Sequence, residues 1–231
     1  QPKNYTIAVQ GPKSNELIKK VFSKEISDIK YFQIVDLLYK NKEVLVSKTG
    51  FSSCGGYEIY IPNTQLSQNL WEEIFSLGQE FNIRVGCPNL IDRIEGGLLS
   101  FGNDMTYNDT ALESGLERFC DLNKNIDCLG ADSLRNELKN GLKKIIRYII
   151  IDSDDIGICN VPWGIYYNNE KIGYITSSAY SPSFNKNVSI GMVDYEYSNI
   201  KDDIKVVSPS GSYSGKLYSK PFKFFRKIKE S

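Results

Sequence analysis

At Lys143 the sequence changes character, and that change limits the folds open to it more than any other feature. From there on, "KKIIRYIIIDS", "GIYYNNEKIGYITSSAYSP", "NVSIGMVDYEY", "DDIKVVSP" and "YSGKLYSKPF" are β-rich runs separated by Asn, Gly, Ser and Pro. Such runs predict short strands joined by turns. The Asn-Asn pair inside "YYNNEKIGYIT" is a strong hairpin signal. Residues 143–231 therefore read as an all-β module, a small barrel or a sandwich.

Before Lys143 strands and helices alternate. "YTIAVQGP" is a short apolar strand ending in a Gly-Pro break. In "KSNELIKKVFS", Leu17, Ile18, Val21 and Phe22 recur at helical spacing, with Ser14 near the N-cap. "YFQIVDLLYKNKEVLVSKTG" reads as two strands around a turn at Lys40–Lys42, followed by a further strand at 57–61. "NTQLSQNLWEEIFSLGQEFN" is a helix with Leu66, Leu70, Trp71, Ile74 and Phe75 on one face and Gly78 near its end. This order predicts an α+β layer, an antiparallel sheet with helices packed on one face. "NLIDRIEGGLLSFGNDM" repeats at helical spacing despite Gly96 and Gly97. Each interior glycine costs roughly 1 kcal/mol against alanine, so the pair marks a helix end or a close approach to the backbone. "DSLRNELKNG" is a short helix closed by Gly141. The predicted division is 1–142 and 143–231.

Twenty-eight basic residues balance twenty-eight acidic ones, so neither a nucleic-acid nor a membrane partner is expected. The basic run Lys216–Lys229, interrupted by Phe222, Phe224 and Phe225, reads as a last strand with a solvated tail. No apolar run approaches the roughly 20 residues of a membrane span. Five cysteines, with no Cys-x-x-Cys pair, fit a reducing, cytoplasmic compartment. In that compartment the triplets at Asn4, Asn108 and Asn187 are chance sequons. With no histidine, Ser-His-Asp and Cys-His pairs and histidine general bases are excluded from these residues, and no zinc site is expected. Chemistry is left to carboxylates, tyrosines, lysines or a cofactor.

One stretch stands apart. In "SKTGFSSCGGYEIYIP" a glycine-broken loop leads into a strand on which Glu58 and Tyr60 share one face, opposite Ile59 and Ile61. An acid beside a tyrosine is either a solvated strand edge or the wall of a binding site.

Four blocks, in order, carry a resemblance to a known family: "SKTGFSSCGGYEIYIP", "NLIDRIEGGLLSFGNDM", "TALESGL" and "EKIGYITSSAYSPSFNKNVSIGMVDYEYS". Together they resemble the glycine-cleavage T-protein family, the folate-dependent aminomethyltransferases. Two departures narrow the branch. Asn89 stands where that family has an arginine that helps hold the folate, and Ser53, Cys54 and Gly55 replace its Glu-Asp before the final glycine. "GCPNLIDRIEGGLLSFGND" with "GGYEIYIPNTQ" is more similar to the dimethylsulfoniopropionate demethylases, relatives that move a methyl group from a sulfonium to tetrahydrofolate.

The resemblance implies tetrahydrofolate as cofactor and a small-molecule substrate, a sulfonium or an aminomethyl donor, with homo-oligomerisation left open. It implies that Glu58 accepts hydrogen bonds from the pterin ring, as an acceptor-only carboxylate can. Glycines 50, 55 and 56 then admit the flat ring, Gly56 nearest the strand, and Tyr60 lines the pocket. Phe51 suits pocket wall or core equally. Lys186 either reaches the acidic tail of the folate or is a solvated loop lysine. Arg93 and Glu95 read as structural ion-pair formers, and Asn103 and Asp104 as turn-formers, with Asp104 also able to face a cavity. The catalytic residue is expected in an N-terminal part that precedes these blocks in the family, which makes this chain alone an incomplete enzyme. A non-catalytic folate-binding module is the competing reading.

Overall fold

A computed structural model describes residues 4–22, 26, 28–87, 89–124 and 128–223. The chain divides into two compact units, Gln1–Asn89 and Leu90–Ser231.

The first unit runs β1 (Tyr5–Gln10), α1 (Ser14–Phe22), β2 (Ile34–Tyr39), β3 (Lys42–Ser47), β4 (Gly56–Ile61) and α2 (Thr64–Gly78). Its sheet is antiparallel in the order β1-β4-β3-β2. Strand alternation sorts the side chains. Ile7, Val9, Val46, Tyr57, Ile59 and Ile61 join Leu17, Ile18, Leu70 and Ile74 of the two helices in one core. A buried isoleucine such as Ile59 holds such a core by roughly 2–5 kcal/mol against alanine. Asn63 caps α2, its Oδ1 accepting the Leu66 N–H at 2.8 Å. The opposite sheet face carries Thr6, Ala8, Asp36, Leu38, Leu45, Glu58 and Tyr60, and among the described residues no helix of this unit covers it. Leu38 is 64% exposed there and Leu45 40%.

The second unit holds α3 (Leu90–Gly96), α4 (Ala131–Asn140) and six strands: β5 (Lys144–Ile151), β6 (Trp163–Tyr167), β7 (Glu170–Ser181), β8 (Lys186–Asp194), β9 (Ile204–Ser208) and β10 (Gly211–Tyr218). They close into a barrel in the order β10-β5-β8-β7-β6-β9, which decides between barrel and sandwich. Inward-facing Ile149, Ile151, Trp163, Ile165, Ile175 and Val206 fill it. Asn168 and Asn169, both at positive φ, make the β6–β7 turn. Strand content thus changes at residue 143, whereas the compact division falls at 89/90, because α3 packs on β7 and β8.

Both readings of the Gly96–Gly97 pair hold at once. Gly97, at φ +69°, ends α3. The Leu98 N–H reaches the Arg93 carbonyl at 2.9 Å and the Gly97 N–H reaches that of Ile94 at 3.1 Å, closing the helix as a Schellman motif. A Cβ on Gly97 would also lie 2.4 Å from Cγ of Pro221. The last strand takes in Lys216 to Tyr218, and Phe222 is buried. The remainder of the basic run, from Phe224 on, lies outside the described residues.

Candidate functional site

Strand β4 is central in its sheet, between β1 and β3, with Glu58 across from Ala8 on one side and Ser47 on the other. Glu58 and Tyr60 are half-buried on the face that the helices leave open. The Thr49 hydroxyl is hydrogen-bonded to Glu58 Oε2, and it lies 3.0 Å from Ser47 Oγ. A hydroxyl has one proton and a carboxylate only accepts. Thr49 therefore donates to Glu58, the charged acceptor, with Ser47 Oγ as a second acceptor within its reach. Among the described residues no hydrogen bond reaches Glu58 Oε1.

The loop between β3 and β4 is fastened by Gln10 at the end of β1. Its Nε2 donates to the Thr49 carbonyl at 3.0 Å and the Tyr57 carbonyl at 3.3 Å, and its Oε1 accepts from Ser52 Oγ at 2.7 Å. This changes the account of the glycines. A Cβ on Gly50 would sit 1.9 Å from Gln10 Oε1, and one on Gly56 would sit 2.3 Å from the Val9 carbonyl. The space kept clear at Gly50 and Gly56 is filled by the chain's own β1, not held open for a ring.

Phe51 stands in this loop and is 40% exposed. Glu58, Tyr60, Phe51 and Gly56 thus share one strand and its preceding loop. A cavity of about 430 Å3 in this unit takes in Ala8 and Gln10 of β1 together with Leu17, Trp71, Phe75 and Arg84, and it includes none of those four. Lys186 belongs to the second unit, where it opens β8 and pairs with Asp152. With Phe184, Lys216 and Tyr218 it lines a cavity of about 290 Å3.

The second unit contains a charged cluster that is sealed. Arg93 pairs with Asp104 Oδ2, both side chains being almost wholly buried. Arg93 also donates to the Leu98 carbonyl at 3.0 Å and to Ser177 Oγ at 2.6 Å. Asp104 accepts from the Ser100 N–H at 2.8 Å, Thr176 Oγ1 at 2.7 Å and Ser177 Oγ at 2.6 Å. Neighbours on a regular strand point to opposite faces. Here the register of β7 against β8 shifts between Ile175 and Ser177, and this bulge lets consecutive Thr176 and Ser177 reach one carboxylate. Asp104 is therefore more than a turn-former: it binds backbone locally and also ties α3 and its following loop to β7. Asn103 joins it, its Nδ2 donating to Ser177 Oγ at 2.7 Å. Arg93 takes the structural role expected of it, with Asp104 as partner. Glu95 accepts from Ser181 Oγ at 2.5 Å.

Gln10, Ser47, Thr49, Ser52, Thr176 and Ser177 were invisible as site or cluster residues in sequence. The one available signal was the density of hydroxyls around Gly50, with Ser47, Thr49, Ser52 and Ser53 in seven residues. All five cysteines are unpaired. Burial pushes the Cys159 thiol up to about 11, so it is not an activated nucleophile. Asn187 is fully buried, its Nδ2 donating to Ser153 Oγ at 2.9 Å. Among the described residues no cluster of three or more acidic or thiol groups is placed to hold a metal, and no helix is long and apolar enough to cross a membrane.

Residues 2–124 match the family model described as the GCVT N-terminal domain, and residues 151–223 that of the glycine cleavage T-protein C-terminal barrel domain. The chain is 37% identical over 211 residues to dimethylsulfoniopropionate demethylase DmdA of Ruegeria pomeroyi, covering 91% of this chain and 57% of that protein. It is 34% identical over 221 residues to an aminomethyltransferase of Thermoanaerobacter pseudethanolicus, covering 94% and 58%. The fold is similar to that of glycine cleavage system aminomethyltransferase T from Bartonella henselae, with a TM-score of 0.81 at 19% identity over 95% of this chain and 59% of that one. The chain spans 57–59% of the length of these relatives.

Proposed function

Since the chain belongs to the glycine cleavage T-protein family, we propose that it serves tetrahydrofolate-dependent one-carbon transfer, with a sulfonium of the dimethylsulfoniopropionate kind as methyl donor. The observation that carries this reading is the half-buried Glu58 on an open sheet face, with one oxygen bound to Thr49 and the other free of protein donors among the described residues. A pterin offers adjacent N–H donors on a flat ring. The residues fit it: Glu58 is an acceptor with spare capacity, and Ala8, Leu45 and Tyr60 beside it form an apolar strip. Tetrahydrofolate, when bound, supplies N5 as the methyl acceptor. The chain's share is to hold and orient, through Glu58 at the ring and Tyr60 and Phe51 as walls. Holding of this kind needs no histidine, and orientation alone is worth up to ~7–11 kcal/mol in such reactions. No residue here is assigned proton transfer.

The sulfonium branch is favoured over aminomethyl transfer by Asn89 and by Ser53–Gly55, the two departures from the aminomethyltransferase pattern. The unpaired cysteines support a cytoplasmic setting. We keep 1–142 as the folate-binding portion and 143–231 as the barrel portion in functional terms.

Calorimetric titration with tetrahydrofolate, wild type beside Glu58→Ala, tests the assignment. Loss of a charged acceptor is expected to weaken binding by ~1.5–3 kcal/mol. Equal binding by the two proteins overturns it. Methyl transfer from dimethylsulfoniopropionate, set against exchange of an aminomethyl group, separates the two enzymatic branches, and binding with neither activity leaves the module reading.

A further inference from the structure

We propose that Thr49 is the positioning residue of this site, held in place by Gln10 and fixing the carboxylate of Glu58 so that Oε1 alone is offered outward. The inference rests on the assignment of Glu58 to the pterin ring.

The argument starts from what a strand carboxylate does when left alone. Glutamate has three rotatable bonds, and on an uncovered sheet face it samples many rotamers, so ordering it on a ligand loses entropy. Glu58 is restrained beforehand. Thr49 donates to Oε2, and the direction of that bond is enforced because the carboxylate has no proton to give. Ser47, directly across from Glu58 on β3 and 5% exposed, places its hydroxyl oxygen 3.0 Å from Thr49 Oγ1 as the alternative acceptor. The single Thr49 proton thus has two acceptors within reach, and the charged one, Glu58, takes it.

Thr49 is itself fixed at its other end. Its carbonyl accepts from Gln10 Nε2, and Gln10 is held by Ser52 and by the Tyr57 carbonyl on β4. The residue after Thr49 is Gly50, where any Cβ would strike the Gln10 amide. Gln10 lies on β1 and Glu58 on β4, adjacent strands, so Thr49 is clamped between two rigid elements while sitting on neither. A loop residue gains the precision of a strand residue by this means. The consequence is specific to binding: Thr49 touches no ligand and acts only through Glu58.

The test is a calorimetric cycle with tetrahydrofolate on Thr49→Val, Thr49→Ser, Glu58→Ala and the Thr49→Val/Glu58→Ala pair, each checked for folding by thermal melting. Valine keeps the shape of threonine and removes the proton, and Thr49→Ala replaces it where the valine variant does not fold. Thr49→Val is expected to weaken binding about five- to tenfold, the size of one hydrogen bond. Thr49→Ser, which retains the hydroxyl, stays within about twofold, and Thr49→Val adds nothing on top of Glu58→Ala. The proposal is overturned if Glu58→Ala binds weakly while Thr49→Val matches wild type. It is overturned equally if serine fails to rescue, or if the valine effect persists without Glu58, since the residue then acts by packing. A Glu58→Ala protein that binds like wild type removes the folate assignment itself.

Discussion

In the second unit the carboxylate of Asp104 receives Arg93, the Ser100 amide, Thr176 and Ser177, and solvent does not reach it. In the first unit the carboxylate of Glu58 receives Thr49 at one oxygen and faces outward with the other. Both accept from hydroxyl side chains, yet only one is saturated. A buried charge is tolerated where its partners complete its hydrogen bonds, and then removing any partner is costly. A charge that is half satisfied at an open face contributes little to the fold. The contrast separates a carboxylate that holds structure from one available to a ligand.

The largest effect expected from this contrast lies at the sealed pair. Asp104→Asn leaves the Arg93 guanidinium buried beside a neutral amide, and Arg93→Met leaves the Asp104 charge without its cation. Each is expected to destabilise the second unit by ~3–5 kcal/mol. Urea unfolding followed by the emission of Trp163, buried in the barrel, reads this, while half-exposed Trp71 reports the first unit. A loss below ~1 kcal/mol at Asp104 would mean that the cluster is ornamental and the contrast false.

A second, smaller effect comes from alkali. Burial, aided by the charge of Asp104, pushes the Tyr148 phenol up to about 12 from its ordinary 10.0. The folded state thus favours the protonated phenol more than the unfolded chain does. Its contribution is complete below pH ~10, declines as pH rises, and is gone above ~12, an amount on the order of 2–3 kcal/mol. Cys159, pushed up to about 11 mainly by burial, adds a decline that begins lower, near its ordinary 9.0. In urea titrations between pH 8 and 12, Tyr148→Phe is expected to flatten the upper part of the fall and leave the cysteine part. If wild type and Tyr148→Phe lose stability in parallel, ionisation of this phenol is not what alkali acts on.

How much of this could be read from sequence follows the range of the interactions. Leu17, Ile18 and Val21 announce α1, and Asn168–Asn169 announce the β6–β7 turn, because helix period and turn chemistry are local. The shared face of Glu58 and Tyr60 was legible for the same reason, since strand alternation is a local rule. Gln10 was not: the residues it fastens, Thr49 and Ser52, lie 39 and 42 positions away, and nothing in "AVQGP" hints at a loop so distant. The glycines were correctly singled out, but Gly50 and Gly56 answer to Gln10 and Val9 rather than to an incoming ring. Asp104 shows the same limit. Its bond to Ser100 is the local turn that sequence foresaw, while its bonds to Thr176 and Ser177 span more than seventy residues and depend on a bulge in β7 that periodicity does not encode.

The smallest expected effect is the sharpest test of the comparison. Glu58→Gln keeps the size of the side chain, and an amide oxygen still accepts the Thr49 proton, so the one hydrogen bond made to this side chain among the described residues survives. What is lost is the negative charge and half of the acceptor capacity at the outward end. Because no protein group among the described residues uses that end, unfolding free energy is expected to move by no more than ~0.5 kcal/mol, the range of ordinary surface changes. At Asp104 the same acid-to-amide exchange should cost several times more, although both carboxylates are fed by hydroxyls of the same kind. The two substitutions therefore form a matched pair, read in one urea series. Should Glu58→Gln lose 2 kcal/mol or more, the charge would be serving the sheet itself, and Glu58 would belong with Asp104 among the residues that hold structure.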